Sequence, residues 1–248
     1  FTGGDFSSLL VGNGGSSDAG PGTELSNCQT GADANASVDC RLAAGSKAIN
    51  VYWAGKTTGY RPPQLIIVDG STPTACGTAS NATGPFYCPP EETVYIDPTF
   101  FDVLEQQFGD TAGPLAQVYV LAHEYGHHIQ QITGTFDKYP NNGTGPESNG
   151  VRSELQADCY AGAFIAGAPE QKDENGVPFM KAPTEDQIRD ALAAAAAVGD
   201  DHIQSMSGRV NPESWTHGSS EQRQRWFATG FKGGPSACDT FAVSGRDL

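Results

Sequence analysis

Residues 123 to 127 read His-Glu-Tyr-Gly-His. On an α-helix, positions i and i+4 lie about 40° apart around the axis, so the two imidazoles point the same way and can hold one metal ion. Glu124 lies about 100° from His123 and about 60° from His127. That puts its carboxylate beside the metal, where it can take a proton from an activated water without competing as a ligand. The residues before the motif, Val118 to Ala122, are apolar, which predicts a buried helix. Two histidines and a glutamate on a buried helix are costly unless paired or metal-bound. The chemistry implied is that of a catalytic zinc, which takes three protein ligands and keeps one position open.

The third ligand has to come from elsewhere in the chain. A third histidine six residues after His127 would be one arrangement, but Thr133 stands there and the glycine that pattern needs is missing. Glu154 and Asp158, in Glu-Leu-Gln-Ala-Asp, are the other choice, again four apart on one helix face. Glu154 reads as the ligand, and Asp158 as acceptor for the second N–H of a ligating histidine. Away from such a motif the same pair would be a solvated helix face. His128 lies about 100° beyond His127 and faces off the metal side, as a packing or hydrogen-bonding residue. His217, in Trp-Thr-His-Gly-Ser-Ser, either stays at the surface beside a helix cap or swings into a cleft. In a cleft it could donate to the oxyanion formed when water attacks a carbonyl. His202 follows two acids and reads as solvated.

The elements that must position these residues are mostly helical. Pro114 to Ile132 has Pro at its start and Gly134 just past its end, the expected punctuation of a helix. A second helix is expected over about Val151 to Ala166. A third starts after Thr184, with Gln187 completing a capping box. A fourth follows Ser219, with Gln222 in the same role, and should stop at Gly230. Ahead of these, Ala48–Trp53, Gln64–Asp69 and Thr93–Asp97 are β-rich. Strands followed by helices predict an α+β fold. Residues 1–26 are Gly/Ser-rich and aperiodic, as expected of a linker or surface arm, leaving 27–248 as the domain.

The chain has 248 residues, with 14 Lys+Arg against 29 Asp+Glu, hence a formal charge of −15. An acidic protein of sequence pI near 4.5 lacks the basic face that nucleic acid or anionic lipid requires. No apolar run is long enough for a membrane span. A chain that begins at Phe1 without Met is expected to be a processed or trimmed product. Its six cysteines, even in number, point to an oxidising compartment and a secreted protein. Cys28–Cys40 and Cys76–Cys88 share one spacing, which leaves Cys159–Cys238 as a long-range staple; the absence of any CxxC pair argues against zinc thiolates. Asp173 to Gly176 is a weak candidate for Ca2+, since it lacks the full EF-hand spacing.

The sequence resembles the bacterial neutral zinc metallopeptidase family whose helix carries HExxHH. The resemblance runs over about residues 27–241: NCQTGADANASVDCR at the front, YRPPQ at 60–64, TACG at 74–77, GPFYCPP at 84–90, VYID at 94–97, AHEYGHHIQ at 122–130, ELQADCYAG at 154–162, GDDHIQ, ESWTHGSSEQRQRWF at 213–227 and ACDTF at 237–241. The front is similar to the secreted or membrane-tethered branch, whose upstream segment is expected to have been removed. The resemblance implies a zincin-like fold with a small antiparallel or mixed sheet. It carries over His123, His127 and Glu154 as ligands of one zinc and Glu124 as base, adds weight to His217, and supports Cys76–Cys88 and Cys159–Cys238.

The reading that follows is a secreted zinc peptidase acting on a protein or peptide. Glu124 activates the zinc-bound water, and His217, with Tyr125 or Tyr160 as lesser candidates, stabilises the oxyanion. By analogy with zincins, the strand at Thr93–Asp97 would offer an edge to an extended substrate. Two rivals keep the metal: a zinc amidase acting on cell-wall peptides, and a non-catalytic surface module with a structural zinc. Oligomeric state is left open.

Overall fold

The computed structural model describes residues 1–2, 28–109, 112–173, 175–206 and 210–248. The expected arm over 1–26 therefore lies outside the described residues, apart from Phe1 and Thr2.

Two helices come first, α1 (Gly31–Ala36) and α2 (Val38–Ala54). Thr30 and Asp33 form the capping box of α1, and the Ser37 side chain caps α2. The expected strand at Ala48–Trp53 is thus the end of a helix. Its buried residues, Ala48, Ile49, Tyr52 and Trp53, recur at helical spacing, and α2 packs them against α4 and α6. The β-rich composition is overruled by that packing.

Five short strands follow: β1 (Gln64–Ile67), β2 (Ser71–Thr74), β3 (Gly77–Ser80), β4 (Phe86–Cys88) and β5 (Thr93–Ile96). β2 and β3 form a hairpin. The other three make a mixed sheet of order β1-β5-β4, with β1 parallel and β4 antiparallel to β5. All four residues of β5 are buried. β5 is therefore the central strand, so Thr93–Asp97 is not an edge; the edges of this sheet are β1 and β4.

The remaining elements are α3 (Phe100–Phe108), α4 (Pro114–Ile132), α5 (Thr135–Lys138), α6 (Asn149–Gly167), α7 (Glu185–Ala197), α8 (Asp200–Met206) and α9 (Ser220–Gly233). α4 has the limits that its Pro and Gly punctuation predicts. Both expected capping boxes are present, Thr184 with Gln187 and Ser219 with Gln222. α9 runs past Gly230, because that glycine does not end the helix. It faces α6 so closely that a Cβ there would lie 1.8 Å from the Cys159 carbonyl oxygen. The main core, with Leu42, Ile49, Leu121, Tyr125 and Phe164 at its heart, binds α2, α4, α6 and the sheet together. The result is an α+β fold with helices on both sides of the strands in sequence.

Three disulfides staple it. Cys28–Cys40 ties the segment before α1 to α2, Cys76–Cys88 ties the β2–β3 turn to β4, and Cys159–Cys238 ties α6 to the segment after α9. No described helix is long and apolar enough to cross a membrane.

Candidate metal centre

Helices α4 and α6 cross at the motif. Gly126 makes this possible: a Cβ there would lie 2.9 Å from the Ala157 Cα, so the two backbones touch. That approach brings Glu154, one turn before Ala157, onto the two histidines. Glu154 Oε2 lies 3.1 Å from His123 Nε2, and Glu154 Oε1 lies 3.4 Å from His127 Nε2. The three candidate ligand atoms all fall within 4.8 Å of one another. Among the described residues this is the one group of three or more His, Cys, Asp or Glu side chains that could hold a metal.

The ring orientations are fixed from behind. His123 Nδ1 faces Asp158 Oδ1 at 2.8 Å, so it carries the hydrogen and leaves the Nε2 lone pair free. His127 Nδ1 faces Gln130 Oε1 at 2.9 Å. Gln130 spends its amide hydrogens on the Ser153 carbonyl and on Gln156, so its oxygen is the acceptor and His127 Nδ1 the donor. Both Nε2 atoms thus turn toward one carboxylate. Two imidazoles and one carboxylate, with a cleft on the open side, are a donor set that suits zinc.

Asp158 is fully buried. Arg223 on α9 grips it through Nε at 2.8 Å and Nη2 at 2.9 Å, and the Tyr119 hydroxyl donates to it at 2.6 Å. Burial would raise the Asp158 carboxyl, but the Arg223 and His123 charges outweigh it and hold the carboxyl down at about 2. Burial likewise opposes charge on His123, and Asp158 with Glu154 overrides it, pushing the imidazole up to about 10. Glu154 is held well below the usual carboxylate range by His127 and His123, against its own burial. Both carboxylates are thus held in their negative form beside the two histidines.

Glu124 is 7 % exposed and borders the cleft. Its carboxylate has no hydrogen-bond or ion-pair partner among the described residues. The cleft holds about 730 Å³. Phe86, Tyr87 and Phe100 line one side, Phe136 and Tyr139 another, and Tyr139 stacks on Phe241 with ring centroids 4.0 Å apart. Outside the metal group, the basic side chains among the described lining residues are Arg223, which is committed to Asp158, and His217.

His217 stands at the mouth of the cleft, half exposed. Its Nδ1 lies 2.8 Å from Thr216 Oγ1 and 3.4 Å from Asp200 Oδ1. Asp200 also accepts the backbone N–H groups of Thr216, His217 and Gly218, so it holds the whole turn. The hydrogen bond to Asp200 raises the His217 pKa, with burial opposing and the Glu154 charge assisting.

Tyr125 and Tyr160 do not reach this cleft. Tyr125 is two residues past His123 and emerges on the far side of α4, where its hydroxyl meets Ser46 at 2.6 Å. Tyr160 packs edge-on against Trp53. Asp173 accepts N–H bonds from Asn175 and Val177 and closes a turn, while Glu174 lies outside the described residues. His128 is buried, away from the metal group, as its angle on the helix predicts.

Sequence reasoning missed Arg223, Asp200, Tyr119 and Gln130. Gln130 was within reach, since i+3 from His127 is a helix neighbour. The others act across long separations that no local pattern marks.

The comparisons agree on one family. The family described as "Putative neutral zinc metallopeptidase" matches residues 1–241. An uncharacterized protein of Mycobacterium tuberculosis (strain ATCC 25618 / H37Rv) is 49% identical over 227 residues, 90% of this chain and 78% of the relative. The uncharacterized protein YpfJ of Escherichia coli (strain K12) is 45% identical over 198 residues, 77% of this chain and 64% of the relative. No solved structure matches the chain at a significant level. With nearly its whole length matched, the chain belongs to the neutral zinc metallopeptidase family.

Proposed function

We propose that this chain is a secreted, zincin-like zinc peptidase that hydrolyses peptide bonds with Glu124 as general base. One observation carries the proposal. A three-ligand group, His123, His127 and Glu154, opens onto a cleft in which the unpartnered Glu124 carboxylate lies beside it. A zinc ion held there would supply Lewis acidity and lower the pKa of water toward 7.

The chain's own residues do the rest. Glu124 accepts the proton of the attacking water and later passes it to the leaving amine. Asp200 accepts from His217 Nδ1 and raises the pKa of the ring, so the protonated imidazole has an Nε2–H to donate to the developing oxyanion. Asp158 and Gln130 hold the ligand rings in one tautomer. The edge for an extended substrate is β4, since residues 83–87 line the cleft. Walls built of Phe86, Tyr87, Phe100, Phe136 and Tyr139 suit apolar side chains. A purely structural zinc has no use for Glu124. Three disulfides support an oxidising, extracellular setting.

The test is zinc content by mass spectrometry together with cleavage of an unfolded protein, with and without a chelator. One zinc per chain and chelator-sensitive cleavage are expected. A zinc-loaded chain that cleaves neither unfolded protein nor peptides refutes the proposal.

A further inference from the structure

The motif is followed at once by a second histidine, and the two adjacent residues look in different directions. His127 turns into the cleft. His128, about 100° further round α4, turns toward the sheet and is fully buried. Its Nε2 lies 2.7 Å from the Arg61 carbonyl, which can only accept, so Nε2 carries the hydrogen. Nδ1 is then an acceptor, and it takes the Tyr87 hydroxyl at 3.0 Å. The same hydroxyl lies 3.2 Å from Gln131 Oε1, and Gln131 Nε2 donates to the Pro89 carbonyl at 3.2 Å. The Tyr87 and His128 rings also meet edge to face.

Tyr87 lies in β4 and Pro89 follows it. β4 is an edge of the mixed sheet, and Thr83 to Tyr87 line the cleft. One turn of α4 therefore carries both a candidate metal ligand, His127, and the grip on one cleft wall, His128 with Gln131. The spacing between metal and wall is set within a single rigid helix.

We infer that His128 is a positioning residue. Acting through Tyr87 and together with Gln131, it holds the free edge of β4 where an extended peptide can add along it and still reach the metal group. This rests on the peptidase reading above. It gives the second histidine of HExxHH a role in substrate alignment that is separate from the metal.

Two variants test it. Tyr87→Phe deletes the hydroxyl and keeps the ring; His128→Phe keeps a ring and removes the acceptor. For a hexapeptide substrate, KM should rise roughly fivefold, the worth of about one hydrogen bond. Turnover number and zinc dissociation constant should stay within about twofold, because no ligand is touched. A blocked dipeptide, too short to reach β4, should show no KM change. The double variant should match the larger single effect rather than their product, since both changes delete one bond. Hydrogen exchange of the amides in 84–89 should quicken in both variants while 123–127 stays protected, whether or not the chain is turning over substrate.

A loss of zinc affinity, or a fall in kcat at constant KM, would overturn the inference by placing His128 in the metal chemistry. Equal losses on long and short substrates, or unchanged exchange in 84–89, would overturn it by making His128 a packing residue only. If the wild type cleaves no peptide, substrate alignment falls with the peptidase reading, and unchanged exchange would then remove the tether as well.

Discussion

Arg223→Met is the perturbation whose size follows most directly from the structure. Arg223 is 3 % exposed, and Asp158 is fully buried against it. Removing the cation leaves a buried carboxylate with only the Tyr119 hydroxyl and His123 to satisfy it. Breaking one partner out of such a pair costs about 3–5 kcal/mol. For a chain of this size each kcal/mol lowers Tm by about 2–4 °C, so the expected drop is about 6–20 °C. Loss of support behind His123, a candidate ligand, should also weaken zinc binding by about 10–100-fold. The assays are thermal denaturation and competition with a chromophoric chelator. The wild-type carboxyl sits at about 2, below its ordinary 3.8. Its contribution is therefore fully present above the ordinary value and is lost as pH falls toward 2. Without Arg223 the loss should begin at higher pH. A companion variant, Arg223→Met with Asp158→Leu, replaces both charges by apolar groups. It should recover most of the stability and none of the zinc affinity, which separates packing from metal support. A single variant within about 1 kcal/mol of wild type, with unaltered zinc binding, would refute the reasoning.

Other outcomes follow from the same geometry. Glu124→Gln should keep zinc and lose roughly 10²–10⁴-fold in turnover; retained turnover would remove Glu124 as base. Asp200→Asn removes the group that raises the His217 pKa, so any limb of the kcat/KM profile that needs protonated His217 should move to lower pH; an unmoved profile argues against His217. Gly126→Ala forces α4 off α6 and should cost about 1–3 kcal/mol with weaker zinc binding, read by denaturant titration and chelator competition. Matched peptides differing in one residue beside the cleaved bond should favour Phe over Glu or Lys by at least roughly tenfold, because burying an unpaired charge among aromatic walls costs more than about 1.4 kcal/mol; equal kcat/KM values would contradict the lining.

What was legible in the sequence was local. Pro114 and Gly134 bracket α4, and the capping boxes at Thr184 and Ser219 mark α7 and α9, because helix ends are decided by residues within one turn. The spacing of His123, His127, Glu154 and Asp158 was readable for the same reason: helix geometry places i and i+4 together. Misreadings arose where packing decides. Ala48–Trp53 has strand-like residues on a helical period, and burial against α4 and α6 makes it helix. Nothing in Thr93–Ile96 says whether it is a central strand or an edge, since that depends on where β1 and β4 land. Arg223 and Asp200 were hidden because their partners lie well beyond one helical turn, 65 residues away for Asp158 and 16 to 18 for Thr216 to Gly218, and a lone Arg or Asp has no period.

Arg223 lies 100 residues after His123 and 65 after Asp158. A chain emerging from its N-terminus exposes all three candidate ligands well before the guanidinium that neutralises the carboxylate behind them. Until α9 packs on α6, the carboxylate behind His123 lacks its guanidinium partner. Closure of Cys159–Cys238 joins the same two parts of the chain. In a fold built this way, the support behind the candidate ligands is supplied from the far end of the chain.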